Sequence, residues 1–171
     1  MPNAASHPDT SSDTIRVALT GATGYVGGRL APRLLAAGYE VNCLVRSPQK
    51  LEARHWANDS KVSAFKIDML DPESMIESMQ GCTVAYYLVH SMQSCSDYSR
   101  QDDLLAKNFA IAAEKAGVER IVYLGGLGET GQELSTHLQS RRSVEGALES
   151  TSVPVTTLRA AMIIGSGSAS F

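Results

Sequence analysis

Three glycines set two residues apart stand in Gly21-Ala22-Thr23-Gly24-Tyr25-Val26-Gly27. Before them lies a β-prone run, Ile15 to Thr20, apolar apart from Arg16 and the closing threonine, as in a strand buried on both faces. After them Val26, Leu30 and Leu34 recur every four residues, with Ala31 and Leu35 alongside, which is a helix stripe. A strand that turns through glycines into a helix can cradle a phosphate. Gly21 permits the tight turn, Gly24 lets the backbone approach a pyrophosphate, and Gly27 lets the helix lie close on the sheet. Free N–H groups at the helix start then point at the anion, helped by the helix dipole. A ligand-free strand–helix turn is the plain alternative; strand, glycines and helix together argue against it.

Two further residues choose among nucleotides. An acid that binds a ribose is expected about 20 residues past the glycines. There the second strand ends Leu44-Val45-Arg46-Ser47, without a carboxylate. Arg46 can instead pair with a 2′-phosphate through a charge-assisted fork, so NADP is expected over NAD. A solvated surface arginine is the competing reading. Asp68 follows Phe65-Lys66-Ile67, at the carboxyl end of a third strand, where ligands of such sheets bind. Its carboxylate can accept from an adenine amine, or cap the next helix, although Asp71 already fills that role.

The elements that must position these groups alternate. Strands are predicted at Ile15 to Thr20, Val41 to Val45, Val62 to Ile67, Thr83 to Val89, Ile121 to Leu124 and Val155 to Leu158. Between them come the Val26–Leu34 helix ended by Gly38, a weaker helix from Ser47 to about Ala57, and one begun by Asp71 as cap with Pro72 at its first position. A longer helix through Leu104, Leu105, Phe109, Ala112 and Ala113 ends at Gly117, and a last one spans roughly His137 to Ser150. Pro32 sits inside the first helix, where it removes a hydrogen bond and predicts a bend. Strands joined by helical crossovers give an α/β fold with a doubly wound parallel sheet.

At 171 residues and 18.3 kDa the chain suits one domain, 15–171, after a polar lead, 1–14, expected to be disordered. Fifteen basic and eighteen acidic residues give a net charge of −3, with no sustained basic stretch, which argues against nucleic acid. Charged residues are 19% of the chain, below the usual quarter, so a partner is expected to cover some of the surface. Cys43, Cys82 and Cys95 form no CxxC pair and the four histidines are scattered, so neither a disulfide framework nor a metal site is indicated. A reducing, cytoplasmic setting is the simplest reading, with no bilayer span and no secretory signal. The final stretch after the sixth strand reads as a loop leading onward, so a fragment is expected.

The loop GATGYVG at 21–27, the strand-two Arg46 and the step Asp68-Met69-Leu70-Asp71 resemble the short-chain dehydrogenase/reductase superfamily. The likeness is nearer to its atypical and extended members, the NmrA-like and NAD-dependent epimerase/dehydratase-like proteins, and extends through Tyr86 to Met92 and Leu158 to Gly165. It covers about 15–171. It implies a Rossmann fold with strand order 3-2-1-4-5-6, and a C-terminal substrate-binding region that this sequence lacks. By motif it implies that Gly21, Thr23, Gly24, Tyr25, Val26 and Gly27 cradle the pyrophosphate, Arg46 meets the 2′-phosphate, and Asp68 with Met69 meets the adenine. Leu88, Val89 and His90 would line the adenosine side and its ribose, and Gly125 and Gly126 would lie near the nicotinamide. The superfamily also implies pairing of subunits through the helices after strands four and five.

The catalytic position departs from the family. Its Tyr-x-x-x-Lys relies on the lysine to lower the phenol's pKa from about 10. None of the six tyrosines here has a lysine four residues on. The expected helix carries His137-Leu138-Gln139-Ser140-Arg141 instead, and the usual serine after strand five is replaced by Leu124-Gly125-Gly126-Leu127-Gly128. His137 can act as a general acid, with an ordinary pKa of about 6.5. Arg141, always charged, can hold a phosphate or an oxyanion on the same helix face. Both residues facing solvent is the bland alternative. Two functions follow: an NADPH-dependent reductase of a carbonyl or enone, its small-molecule substrate unread, or a non-catalytic NADP(H)-binding sensor or assembly factor. A nucleotide-sugar epimerase or dehydratase is a weaker third, since it leans on the same tyrosine.

Overall fold

The computed structural model describes residues 14–89, 96–127 and 136–167, the side chains of 96–99 and 136–140 excepted. The lead expected at 1–14 falls outside them apart from Thr14. The elements are β1 (Arg16–Thr20), α1 (Gly27–Ala36), β2 (Glu40–Val45), α2 (Gln49–Glu52), β3 (Val62–Lys66) and α3 (Glu73–Met79), then β4 (Val84–Tyr87), α4 (Ser96–Lys115), β5 (Arg120–Gly126), α5 (Thr136–Leu148) and β6 (Val155–Ala160). All six strands are parallel, in the order β3-β2-β1-β4-β5-β6. This is the Rossmann arrangement, and its order reverses between β1 and β4.

Alternation along the inner strands divides the core into two layers. Val17 and Leu19 of β1, with Val41, Cys43 and Val45 of β2, pack against Ala31 and Leu34 of α1, Leu51 and Trp56. Ala18 and Leu44 face the other way, joining Ala85, Tyr87, Ile121 and Tyr123 beneath Met75 and Met79 of α3, Phe109 and Ala113 of α4, and Val144 and Leu148 of α5. Tyr87 meets Phe109 edge-on, ring centroids 5.0 Å apart. No helix among the described residues is long and apolar enough to cross a membrane.

Several boundaries differ from expectation for local reasons. The helix expected over Ser47 to Ala57 is a four-residue α2; the chain then turns, because Trp56 must drop into the core and Arg54 must reach back to the glycine loop. The third helix starts at Glu73, and its N-cap position, Pro72, makes no side-chain cap. Asp71 caps the helix start as expected, from one residue earlier: its carboxylate accepts from the Glu73 N–H at 3.1 Å, with Pro72 in helical conformation between them. β5 runs two residues past Leu124, because Gly125 and Gly126 pair with Arg159 and Ala160 of β6.

Pro32 is accommodated inside α1 by a side chain from elsewhere. Lacking an N–H, it leaves the carbonyl of Gly28 without its partner one turn on. The Trp56 indole N–H donates to that carbonyl at 3.2 Å. An orphaned acceptor and a buried indole donor, each costly alone, satisfy each other.

Two consequences are measurable. Trp56→Phe should cost about 1–2 kcal/mol more in the natural chain than in a Pro32→Ala background, where alanine supplies the missing donor. Urea unfolding of the four proteins measures this, and an equal cost in both backgrounds would remove the bond from the account. Burial also raises the Cys43 thiol from 9.0 to about 12, and the Cys82 thiol to about 11 against partial opposition from Arg16. Both folded pKa values lie above the unfolded one, so their contribution is full below pH 9 and shrinks as pH rises toward 11–12. Stability should therefore fall above pH 9, and Cys43→Ala with Cys82→Ala should flatten that decline in unfolding scans.

Candidate functional site

The site is built where two backbones nearly touch. Gly21 adopts φ +69°, and a Cβ there would lie 2.9 Å from the Leu88 carbonyl oxygen, in the segment leaving β4. Thr20 fastens the same two chain segments: its buried hydroxyl donates to the Tyr86 carbonyl and accepts from the Leu88 N–H, both at 3.0 Å. Gly24 N–H donates to Gly21 O at 2.9 Å, closing the loop. A Cβ on Gly27 would stand 2.2 Å from Gly21 O, so α1 can begin there only on glycine. A Cβ on Gly24 would meet only Gly21 O, at 3.2 Å, and that residue otherwise faces open space.

The start of α1 is ready for an anion. Val26 at the N-cap makes no side-chain cap, and the first turn has no acidic residue. The N–H groups of Tyr25, Val26 and Gly27 have no acceptor among the described residues. Unused donors at the positive end of a helix, beside an uncrowded glycine, fit a pyrophosphate. The Tyr25 side chain is engaged elsewhere. Its ring lies beneath the Arg29 guanidinium at 3.7 Å, and its hydroxyl abuts Gly165, so only its backbone faces the loop's open side without a partner.

Parallel strands bring the remaining expected residues to one edge of the sheet. Arg46 is exposed directly after β2 and forms no ion pair or hydrogen bond among the described residues. Asp68 is exposed beyond β3, and its Oδ1 accepts from the Leu70 N–H at 2.9 Å in a tight turn. Met69 faces the core, only 7% exposed, and its carbonyl accepts from the Asn108 amide at 3.0 Å. Its side chain is therefore turned inward. Leu88 and Val89 are half-buried across the switch point, each against a different core layer. His90 lies outside the described residues. Gly125 and Gly126 are the last residues of β5, and Gly125 is buried against Tyr123 and Thr157.

His137 and Arg141 both belong to α5, one turn apart; the His137 side chain lies outside those described. Arg141 is half-buried, and its carbonyl accepts from the Tyr123 hydroxyl at 3.3 Å. Burial raises the Tyr123 phenol to about 12, with Arg141 partly opposing, and raises the Tyr87 phenol further still. Neither is poised to exchange a proton near neutrality. No group of three metal-ligating side chains occurs among the described residues.

Sequence reasoning missed Thr20, Arg29 and Arg54. Arg29 donates to the carbonyls of Tyr25 at 3.2 Å and Ser166 at 2.8 Å. Arg54 donates to the carbonyl of Thr23 within the loop. Spacing carries no trace of the contacts from Thr20 to the β4 segment, from Arg29 to Ser166 and from Arg54 to Thr23, since each joins a side chain to main chain far away in sequence; only the Tyr25–Arg29 pair has helical spacing. Pro32 announces a carbonyl in need of a donor, which signals the Trp56 contact but none of these three.

Comparison with known proteins agrees with this geometry. Over 139 residues the chain is 26% identical to cinnamoyl-CoA reductase 1 of Oryza sativa subsp. japonica, an alignment covering 79% of this chain and 39% of the relative. Among solved structures, a triphenylmethane reductase from Citrobacter sp. superposes with a TM-score of 0.69 at 26% identity, covering 86% of this chain and 50% of that one. A nucleoside-diphosphate-sugar epimerase from Staphylococcus aureus superposes with a TM-score of 0.71 at 22% identity, covering 85% and 50%. The chain thus spans about two fifths of the curated relative and half of the solved ones. A family model described as NAD(P)H-binding matches residues 21–166, from the first glycine of the loop to the segment after β6, and the chain belongs to that NAD(P)H-binding family.

Proposed function

We propose that this chain is the cofactor-binding part of an NADPH-dependent reductase acting on a carbonyl or enone. The observation that carries the preference for NADPH is Arg46: an unpaired, exposed guanidinium directly after β2, where a ribose-binding acid would select NADH. The Citrobacter triphenylmethane reductase, 25% identical in a second structure, was crystallised with NADP(H). Bound NADPH supplies the hydride; the protein supplies orientation and a proton.

Within this reading the amides of Tyr25, Val26 and Gly27 hold the pyrophosphate, and Arg46 holds the 2′-phosphate. Asp68 accepts from the adenine amine through the carboxylate oxygen that its turn leaves free. The backbone of Met69 borders the adenine, Leu88, Val89 and His90 border the adenosine ribose, and Gly125 and Gly126 leave room for the nicotinamide. His137 donates the proton to the substrate oxygen while Arg141, one turn on, steadies the charge developing there. The compartment in this reading is the cytoplasm. The absent Tyr–Lys pair and the buried, high-pKa phenols of Tyr87 and Tyr123 favour one alternative, a non-catalytic NADP(H)-responsive module that docks a protein partner.

Arg46→Ala should weaken NADPH about tenfold or more and leave NADH nearly unchanged, as loss of a charged hydrogen bond requires. Fluorescence titration with both nucleotides decides it, and equal or tighter NADH binding by the natural protein would refute the assignment. In a screen of carbonyl substrates, His137→Ala should lower kcat by about 100-fold or more. Turnover that survives the change removes His137 from the mechanism, and binding without any turnover favours the non-catalytic module.

A further inference from the structure

The free amides at the start of α1 lie between two carbonyls that are each held by a side chain from the β2–β3 crossover. Thr23 O, just before them, accepts from the Arg54 guanidinium, and Gly28 O, just after them, accepts from the Trp56 indole. Arg54 is itself fixed by its backbone, whose N–H donates to Leu51 O at 2.8 Å and whose carbonyl accepts from Ala57 at 2.9 Å. Its guanidinium carbon stands 3.3 Å from the place a Cβ on Gly28 would occupy, so it lies along the first turn of α1. No carboxylate pairs with it among the described residues.

We propose that Arg54 is a positioning residue for the dinucleotide. It draws the Thr23 carbonyl toward itself and fixes the peptide plane that leads into the N–H groups of 25–27. Those amides are then set before the ligand arrives, and a permanent positive charge stands behind them. The inference rests on the dinucleotide reading above, yet it assigns a role different from that of Arg46. Arg46 acts on the 2′-phosphate, which only NADPH carries. Arg54 acts on the loop that meets the pyrophosphate, which both nucleotides share, so its effect does not discriminate between them.

The test uses the full chain with Arg54→Met, which keeps an apolar stem, and Arg54→Lys, which keeps a charge and a donor; Arg54→Ala replaces the methionine variant should that one not fold. Dissociation constants for NADPH and NADH are read together with amide hydrogen exchange of residues 21–28 in the nucleotide-free protein. The expected result is a loss of about tenfold for both nucleotides in Arg54→Met, one charged hydrogen bond's worth. Exchange should quicken over 21–28 and not in the core strands, and Arg54→Lys should recover most of both effects. Unchanged affinity overturns the proposal, as does loss of NADPH alone, which would make Arg54 a phosphate ligand. Faster exchange throughout the core, or no rescue by lysine, reduces Arg54 to packing. A natural chain that binds neither nucleotide defeats the functional reading instead, and the exchange data then still decide whether Arg54 holds the loop.

Discussion

The site depends on main chain lying against main chain where the sheet reverses direction. The segments leaving β1 and β4 approach until a single methyl on Gly21 would collide with the Leu88 carbonyl, and one on Gly27 would occupy the place of Gly21 O. Side chains cannot mediate contact at that range, so the loop's shape is dictated by what is missing at two positions. Thr20, hydrogen-bonded both ways between the strands, keeps the gap from opening. A nucleotide at this edge would meet backbone dipoles already fixed in place, which lowers the entropy lost on binding.

The helix that completes the loop is intrinsically compromised and extrinsically repaired. Proline in α1 deprives a first-turn carbonyl of its partner, and the answer comes 28 residues away in sequence, from Trp56. The short α2 follows from the same requirement, because a continuing helix would carry Trp56 and Arg54 past the positions from which they reach α1. Departures from ideal secondary structure thus occur together, and each explains the other.

Much of the fold was legible because periodicities report burial. The alternation of strands and helices, the order of elements and the glycine loop were all visible, since apolar spacing and missing side chains leave direct marks. Gly38 and Gly117 ended their helices as expected, both with positive φ. Strand limits were less visible: Gly125 and Gly126 resemble a loop in isolation and become strand only because β6 pairs with them. The close packing of the loop glycines was readable, whereas the long-range contacts of Arg54 and Arg29 were not. A guanidinium that seeks a distant carbonyl has no periodicity, and a surface arginine has the same letter. Met69 shows the converse limit, since a motif locates a residue at an edge without saying which way its side chain turns.

The contact between Arg29 and the Ser166 carbonyl joins points 137 residues apart. Its two ends are brought together by strands that pair across the sheet and not by local chain, so it closes a long loop. The same reasoning makes it a point of fraying: the segment after β6 lies at the sheet's margin, with exposed Met162 and Ile164, and meets Arg29 of α1 and Tyr25 just before it. The segment after β6 thus serves as a latch on the entrance to the first helix.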